Sequence, residues 1–399
     1  MKIAIVSDFH IGFEKFAEDA YNQAQAALLK AADMADMLLI PGDIFDNRAP
    51  KPEVLAQGIN LFRDLSKREW KAKVVDYTGA KQLYSHIPVV AISGTHERRA
   101  QGAENPVDLL NLAGLLVDAD DSTVVIEKDG ERVSVSGLGG VSEELVRSAL
   151  RSVNPQPIAG MFNIFVFHQS IYEFLPFSSD FLRLDELPNG FDLYVCGHIH
   201  NRIEGSVHGK PFLIPGSTVL TQLKDEETEA KGFYLFDTKS TKYEFVSIST
   251  RPFKVINIKV TGKKNEDIVY ELERKLDSVR VEAGGTKPIV KVSLDGTLSR
   301  GQKLSDINLA ELAKKHENEM FVEISRSGVS EEDALVSIEE LRKKEYENMS
   351  IKDYGISLLL ESLKQSNYNL KVNPVEMFEI LSSDGGKEKI LKQASELLL

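Results

Sequence analysis

Six short apolar runs constrain this chain more than any bulk property does. KIAIVSDFH ends at Asp8 and His10, MLLIPGD at Asp43, VVAISGTHE at His96, NIFVFH at His168, and DLYVCGHIH at His198 and His200, with FLIPGS closing the series. Runs of Val, Ile, Leu and Phe bounded by glycine or a polar turn read as buried strands, and α/β sheets place their chemistry just past the strand carboxyl ends. The order therefore predicts a fold that gathers two carboxylates and several imidazoles at one sheet edge. Five of the eight histidines lie in these motifs, whereas histidines kept only for packing would scatter. The pattern reads as a two-metal hydrolytic centre.

With 399 residues and 42% hydrophobic composition the chain can bury a substantial core, and length alone predicts roughly two to three domains. No apolar stretch is long enough for a membrane span, and the first strand begins at once after Met1, which leaves no room for a cleaved signal. The expected location is the cytoplasm, with nucleoid association if the partner is DNA. A single cysteine, Cys196, excludes an internal disulfide and a cysteine-rich zinc cluster; it reads as a small buried strand residue. The net charge of -13 and pI near 5.3 would repel nucleic acid as a whole, so any DNA role must rest on local charge. From Arg48 to Lys73 seven basic residues stand against three acidic ones. That stretch is either a basic patch or a solvated helix face.

Strands and helices alternate from Met1 to about Ser249, with helices expected near Glu14–Ala35, Pro52–Lys67, Pro106–Leu112 and Ser142–Val153. This is a layered α/β domain. Proline suits a first helical turn, and PEVLAQGINLFRDLSK puts Leu55, Ile59 and Phe62 on one stripe, for the core or for a homodimer seam. After Pro252 the strands VINIKVTG, PIVKVSLDG and EMFVEISRS and the helix DIVYELERKLDSV outline a small α+β unit of about 75 residues. Arg326 to Ser350 carries seven acidic and four basic residues and reads as a charged linker or exposed helix. Beyond Ser350 come three short amphipathic stretches, whose apolar stripes pack on one another or on a partner.

Asp8 and His10, and likewise His198 and His200, are two residues apart at a strand end and can project to one side. Gly42 allows a sharp turn before Asp43, whose two oxygens can bridge two cations. Six such groups exceed one tetrahedral zinc site and suit two cations about 3.5–4 Å apart. Mixed imidazole and carboxylate donors favour manganese, iron or zinc over magnesium, with manganese first. Two divalent cations against two aspartates leave an excess of about +2, suited to a phosphodiester. One histidine must stay off the metals to protonate the leaving oxygen, and His96 is the candidate. Asp46 reads as a capping or turn residue, and His86, His208 and His316 lie outside the motifs.

DxH, GDxxD, a GNH-like turn, a lone histidine after a strand, and GHxH together resemble the signature of the calcineurin-like metallophosphoesterases. The accessory unit, charged linker and terminal helices narrow the resemblance to the meiotic recombination eleven family of DNA double-strand-break repair nucleases, in its compact archaeal form. This implies a four-layer α/β sandwich at 1–252, a small α+β DNA-capping domain at 253–327, a linker at 328–349 and C-terminal helices at 350–399. It implies one metal on Asp8, His10, Asp43 and His200, a second on Asp43, Thr95, His168 and His198, and His96 as the catalytic histidine. The activity implied is that of a nuclease using two Mn2+ per subunit, a 3′-to-5′ double-strand exonuclease and single-strand endonuclease. The partners implied are DNA, a second copy in a homodimer, and an SMC-like coiled-coil ATPase of the Rad-fifty type bound through about Ser350–Leu399. One position departs from the pattern: Thr95 stands where the family has asparagine, and Glu97 where aspartate is common. A hydroxyl is shorter than an amide, which predicts a weaker second site or one completed by water. Rival readings are a phosphoesterase for small phosphodiesters or phosphoproteins and a non-catalytic scaffold of the same fold.

Overall fold

In the computed structural model, residues 1–78, 83–99, 103–299 and 301–331 are described. The expected ATPase-binding segment, 350–399, lies outside them, as does most of the linker. The strands in chain order are β1 (Lys2–Ile5), β2 (Met37–Ile40), β3 (Lys73–Thr78), β4 (Val89–Ala91), β5 (Val117–Asp118), β6 (Thr123–Lys128), β7 (Glu131–Leu138) and β8 (Phe162–His168). They continue as β9 (Leu193–Gly197), β10 (Ile203–Val207), β11 (Lys210–Ile214), β12 (Gly232–Asp237), β13 (Lys242–Ser247), β14 (Phe253–Lys259), β15 (Ile289–Leu298) and β16 (Phe321–Glu331). The α-helices are α1 (Ala17–Met34), α2 (Pro52–Ser66), α3 (Pro106–Leu112), α4 (Val146–Val153), α5 (Asn265–Glu282) and α6 (Leu309–Lys315).

The first unit, Met1–Phe253, holds two sheets, ordered β13-β12-β1-β2-β4-β5 and β10-β11-β9-β8-β7-β6-β3. Alternation along each strand sorts its side chains into layers. Ala4, Leu38, Ile40, Val89 and Ala91 face Ala24, Ala27, Leu28 and Ala31 of α1 and Leu61, Phe62 and Leu65 of α2. Their neighbours Ile3, Ile5, Met37, Leu39 and Val90 face Val133, Val135, Ile164, Val166, Leu193 and Val195 of the other sheet. The far side of that second sheet, with Phe165, Phe167, Tyr194 and Phe212, packs on Val146 of α4 and on Ile171, Leu182 and Phe191. Three apolar seams thus separate four layers, giving an α/β sandwich of the expected kind. Each large side chain buried in them contributes about 1.5–3 kcal/mol.

Local signals agree with most of the expected elements. Pro52 opens α2, and Asn105 with Asp108 makes a reciprocal capping box on α3. α4 starts at Val146 rather than Ser142, after a turn. The stripe expected on α2 is rotated: its buried side is Gly58, Leu61, Phe62 and Leu65, while Ile59 is exposed. Gly58 decides this, because a Cβ there would strike the Phe45 ring at 2.4 Å, so α2 packs closest at the residue that counts least in a hydrophobic pattern. Among the described residues no helix is long and apolar enough to cross a membrane.

The second unit begins at Lys254. Its sheet is ordered β14-β15-β16, with β15 and β16 parallel. Ile268, Leu272 and Leu276 of α5 and Leu309 and Leu312 of α6 cover Ile258, Val290, Val292 and Leu294. β16 continues to Glu331, pairing Gly328–Glu331 with Asp295–Leu298. The first residues of the expected linker, 328–331, are therefore strand. Their Ser and Val content extends the ladder where charge alone suggested its end.

Candidate metal centre

The six motifs divide evenly between the two sheets. β1, β2 and β4 of the first sheet lead to Asp8 and His10, to Asp43 and to Thr95 and His96; β8, β9 and β11 of the second lead to His168, to His198 and His200 and to Ser217. Within each sheet these strands run parallel, and the Ser7–Ser217 bridge joins the two ends. The loops are then laced together: Asp8 N–H donates to Gly42 O, His10 N–H to Asp43 O and Thr218 N–H to Asp8 O. Four of the gathered residues hold left-handed backbone, with φ of 54° at Asp8, 48° at His10, 50° at Asp43 and 76° at His198. Each such residue costs about 1–3 kcal/mol unless its surroundings impose it, although Asp and His tolerate the region better than most side chains. Gly94 is required by proximity, since a Cβ there would lie 2.1 Å from Asp43 Oδ1.

Asp8, His10 and His200 form one group of possible ligands and Asp43, His168 and His198 another, with His10, Asp46 and His96 a third toward the rim. In the first, His10 Nδ1 donates to Asp46 Oδ1 at 3.0 Å and His200 Nδ1 contacts Thr221 Oγ1. The two Nε2 atoms then face each other at 3.1 Å, with Asp8 Oδ1 3.9 Å from His200 Nε2 and Asp43 Oδ2 4.0 Å from His10 Nε2. In the second, His168 Nδ1 donates to Pro41 O at 2.7 Å, which turns its Nε2 toward Asp43 Oδ2 at 3.1 Å. Thr95 Oγ1 lies 3.3 Å from His198 Nδ1.

These donors fit divalent cations on their own geometry. Asp8 and Asp43 each spend Oδ1 on the backbone N–H of another motif, His198 at 3.1 Å and His96 at 2.9 Å. Their buried Oδ2 atoms, and His168 Nε2, have no hydrogen-bond partner. Buried acceptors that face one another unpaired are costly, and a cation among them removes the cost. Burial opposes charge on His168, but Asp43 and then Asp8 outweigh it and raise that ring to about 9. Burial likewise works against an ionised Asp43, yet His168 and His10 hold it well below the usual carboxylate range. Asp8 is pushed up by burial and by the Asp43 charge, with His168 and His10 opposing. Burial lowers His198 to about 4 and His200 well below its ordinary value, aided by neighbouring imidazoles, so both rings are neutral and ready to ligate.

His96 lies at the exposed rim, its side chain 44% accessible. Its Nδ1 donates to Asp46 O at 3.0 Å, with Asp46 Oδ1 at 3.4 Å. The hydrogen bond to Asp46 outweighs burial, and with Asp43 nearby it raises the ring to about 9. Asp46 is itself pushed up by burial but pulled to about 2 by its bonds from His10 and His96. Of the reading of Asp46 as a cap or turn residue, the turn holds, since it lies in a bend, but the cap does not, since α2 begins after Lys51; its carboxylate meets His10 and His96 instead. Behind it, Glu97 is fully buried and accepts from Phe45 N and Gly94 N, both at 2.9 Å. Burial, with Asp43, raises that carboxyl to about 8. Glu97 pins the turn carrying Thr95 and His96 to the end of the Asp43 loop. Cys196 is buried in β9 as expected, and its thiol is pushed up by burial. His86 and His208 bond to the carbonyls of Val74 and Leu187, away from the centre.

Two sheets, a central pair of ligand groups and an exposed histidine define a metal-dependent phosphodiesterase. The model of the calcineurin-like phosphoesterases matches residues 1–202, and the chain belongs to that family. Within it the kinship is of the Mre11 type. The DNA double-strand break repair protein Mre11 of Methanopyrus kandleri is 27% identical over 332 residues, covering 75% of this chain and 69% of that protein. Proteins of the same name from Saccharolobus solfataricus and Thermoplasma acidophilum are 25% and 26% identical, covering 75% and 76% of this chain and 76% and 79% of their own lengths.

Proposed function

We propose that this chain is a manganese-dependent DNA nuclease of double-strand-break repair, a 3′-to-5′ double-strand exonuclease and single-strand endonuclease. The observation that carries the chemistry is the facing donor set of Asp8, His10 and His200 on one side and Asp43 and His168 on the other, in which Asp8 Oδ2, Asp43 Oδ2 and His168 Nε2 have no hydrogen bond, with His96 exposed beside it. Asp8, His10, Asp43 and His200 would hold one cation, and Asp43, His168, His198 and Thr95 the second. When bound, the cations supply Lewis acidity to the phosphodiester and its attacking water. His96, anchored through Nδ1, carries its other ring proton to the leaving oxygen as the P–O ester bond breaks. Asp46 holds that ring in place and favours its charged form.

The DNA assignment leans on the relatives, whose names describe double-strand break repair. In this reading residues 1–252 cut, 253–327 cap the DNA, the charged stretch after Glu331 is a linker, and 350–399 dock an SMC-like coiled-coil ATPase. A homodimer seam is supported by Ile59 on α2 and Leu109 and Leu112 on α3, all exposed. Local charge gives weaker support, because Lys51, Lys67 and Arg68 are already paired with Glu14, Asp64 and Asp33.

The test compares end-labelled duplex and hairpin DNA with a chromogenic phosphodiester, with manganese or magnesium, for the wild type and His96→Ser. Cleavage of DNA by the wild type with manganese, falling about 10²–10⁴-fold in His96→Ser, is expected from loss of general acid catalysis. Cleavage of the small ester alone would sink the nuclease reading.

A further inference from the structure

A buried polar chain stands behind His200, made of residues in the segment after β11. The Thr221 hydroxyl meets His200 Nδ1 and donates to Glu227 Oε1 at 3.2 Å. Glu227 also accepts from Gln222 N at 2.8 Å, from Thr221 N at 3.2 Å and from Lys231 Nζ at 3.2 Å. Lys231 in turn donates to Ser217 Oγ at 3.0 Å and to His200 O at 3.4 Å. The side chains of Lys231 and Glu227 are only 8% and 4% exposed. A buried ion pair is weak evidence for stability, since desolvation offsets most of its attraction. Such a pair joined end to end with a ligand invites a different explanation.

The direction of the protons supplies it. Glu227 is met on every side by donors, so the Thr221 proton points at its carboxylate. The hydroxyl oxygen can then only accept from the ring, and His200 must carry its proton on Nδ1. Its Nε2 lone pair is thereby turned toward His10 Nε2, 3.1 Å away, and Asp8 Oδ1, 3.9 Å away.

We propose that Glu227 and Lys231 are positioning residues which, through Thr221, lock His200 into its Nδ1–H tautomer and hold the Nε2 lone pair ready for the cation of the first ligand group. The proposal rests on the metal-centre reading above. It assigns a role to three residues that lie outside all six strand-ending motifs, and it makes the backbone of His200 and its ring parts of one fixture, because Lys231 bonds the carbonyl directly and reaches the ring through Glu227 and Thr221.

The experiment uses the full chain, with histidines labelled in ¹⁵N, as wild type, Thr221→Val, Thr221→Ser and the double variant Glu227→Gln with Lys231→Met. The double variant leaves no buried charge unpaired, so it reads the relay even if Thr221→Val fails to fold. Ring nitrogen shifts of the metal-free protein should show Nδ1–H at His200 in the wild type and Thr221→Ser, and a mixture of tautomers in the other two. Calorimetry with manganese alone should show one of two sites weakened by about 10–100-fold in Thr221→Val and in the double variant, the usual cost of removing a ligand's outer partner. The other site should be unchanged, and Thr221→Ser should restore the first. Unchanged tautomer and affinity in a folded Thr221→Val or double variant would overturn the relay, as would equal weakening of both sites. A wild type that takes up no manganese would overturn the metal-centre reading instead, and the ring shifts, read without metal, would still decide the relay.

Discussion

In the first ligand group the histidines are tied to acids, His10 directly and His200 through the Thr221 hydroxyl; in the second they end on a main-chain carbonyl and a hydroxyl. His10 is backed by Asp46, and His200 by Thr221 and Glu227. His168 is backed by Pro41 O, and His198 meets only Thr95 Oγ1, at 3.3 Å. An acid behind an imidazole fixes its tautomer and raises its basicity as a ligand, whereas a neutral acceptor does the first and little of the second. Proton affinity does not follow that division: His168 is raised to about 9, whereas His198 beside it is lowered to about 4 and His200 of the first group is lowered too. On geometry alone, the first group is the better furnished of the two for a cation.

The comparison collapses most completely if Asp43 is changed, because its Oδ2 faces His168 at 3.1 Å and His10 at 4.0 Å. Asp43→Asn should remove manganese binding at both groups by calorimetry and take phosphodiester hydrolysis to background; retention of one full-affinity site would show that the groups do not share it. Thr95→Asn sharpens the contrast from the other side. Adding an amide oxygen beside His198 should tighten the weaker site on the order of tenfold, an increment of about 1.4 kcal/mol, and calorimetry that finds the same affinity and stoichiometry would refute it. The smallest effect concerns protons. With its ring raised to about 9, His168 gives the metal-free protein stability that is fully present below an unfolded value near 6.5 and is lost as pH rises through 9. Thermal melts of the metal-stripped chain from pH 6 to 10 should show that loss, at about 2–4 °C per kcal/mol, and His168→Gln should flatten it; identical profiles for the two proteins would exclude His168 as the source.

The motifs were legible because burial and chemistry coincide in them: β1, β2, β4, β8 and β9 are apolar almost up to the candidate ligands. Their division between two sheets was not, since parallel strands of either sheet carry the same Val and Ile pattern and only the long crossings decide membership. Asp46 was passed over because an aspartate three residues after Asp43, ahead of a proline-led helix, looks like a helix start. The i+3 spacing in GDIFD was the available signal. Thr221, Glu227 and Lys231 gave none, because their partner is His200, met by the segment that runs from β11 to β12 rather than set by local spacing. Ile59 misled for the opposite reason, since it is apolar and in phase, yet the close face of α2 belongs to Gly58. Periodicity measures hydrophobicity, whereas helix packing also answers to shape.

Three motifs hanging from each sheet, joined at the Ser7–Ser217 bridge, have a mechanical meaning. The seam between the sheets is an apolar layer, mainly Ile, Val and Leu with Met37, Tyr234 and Phe236. Ions seated between the two sets of strand ends would rivet them at one margin, so that shear of one sheet over the other must first break metal–ligand bonds. Emptying the centre would then loosen the sandwich along its length, and a pulling experiment across the two sheets would feel the ions as a yield point.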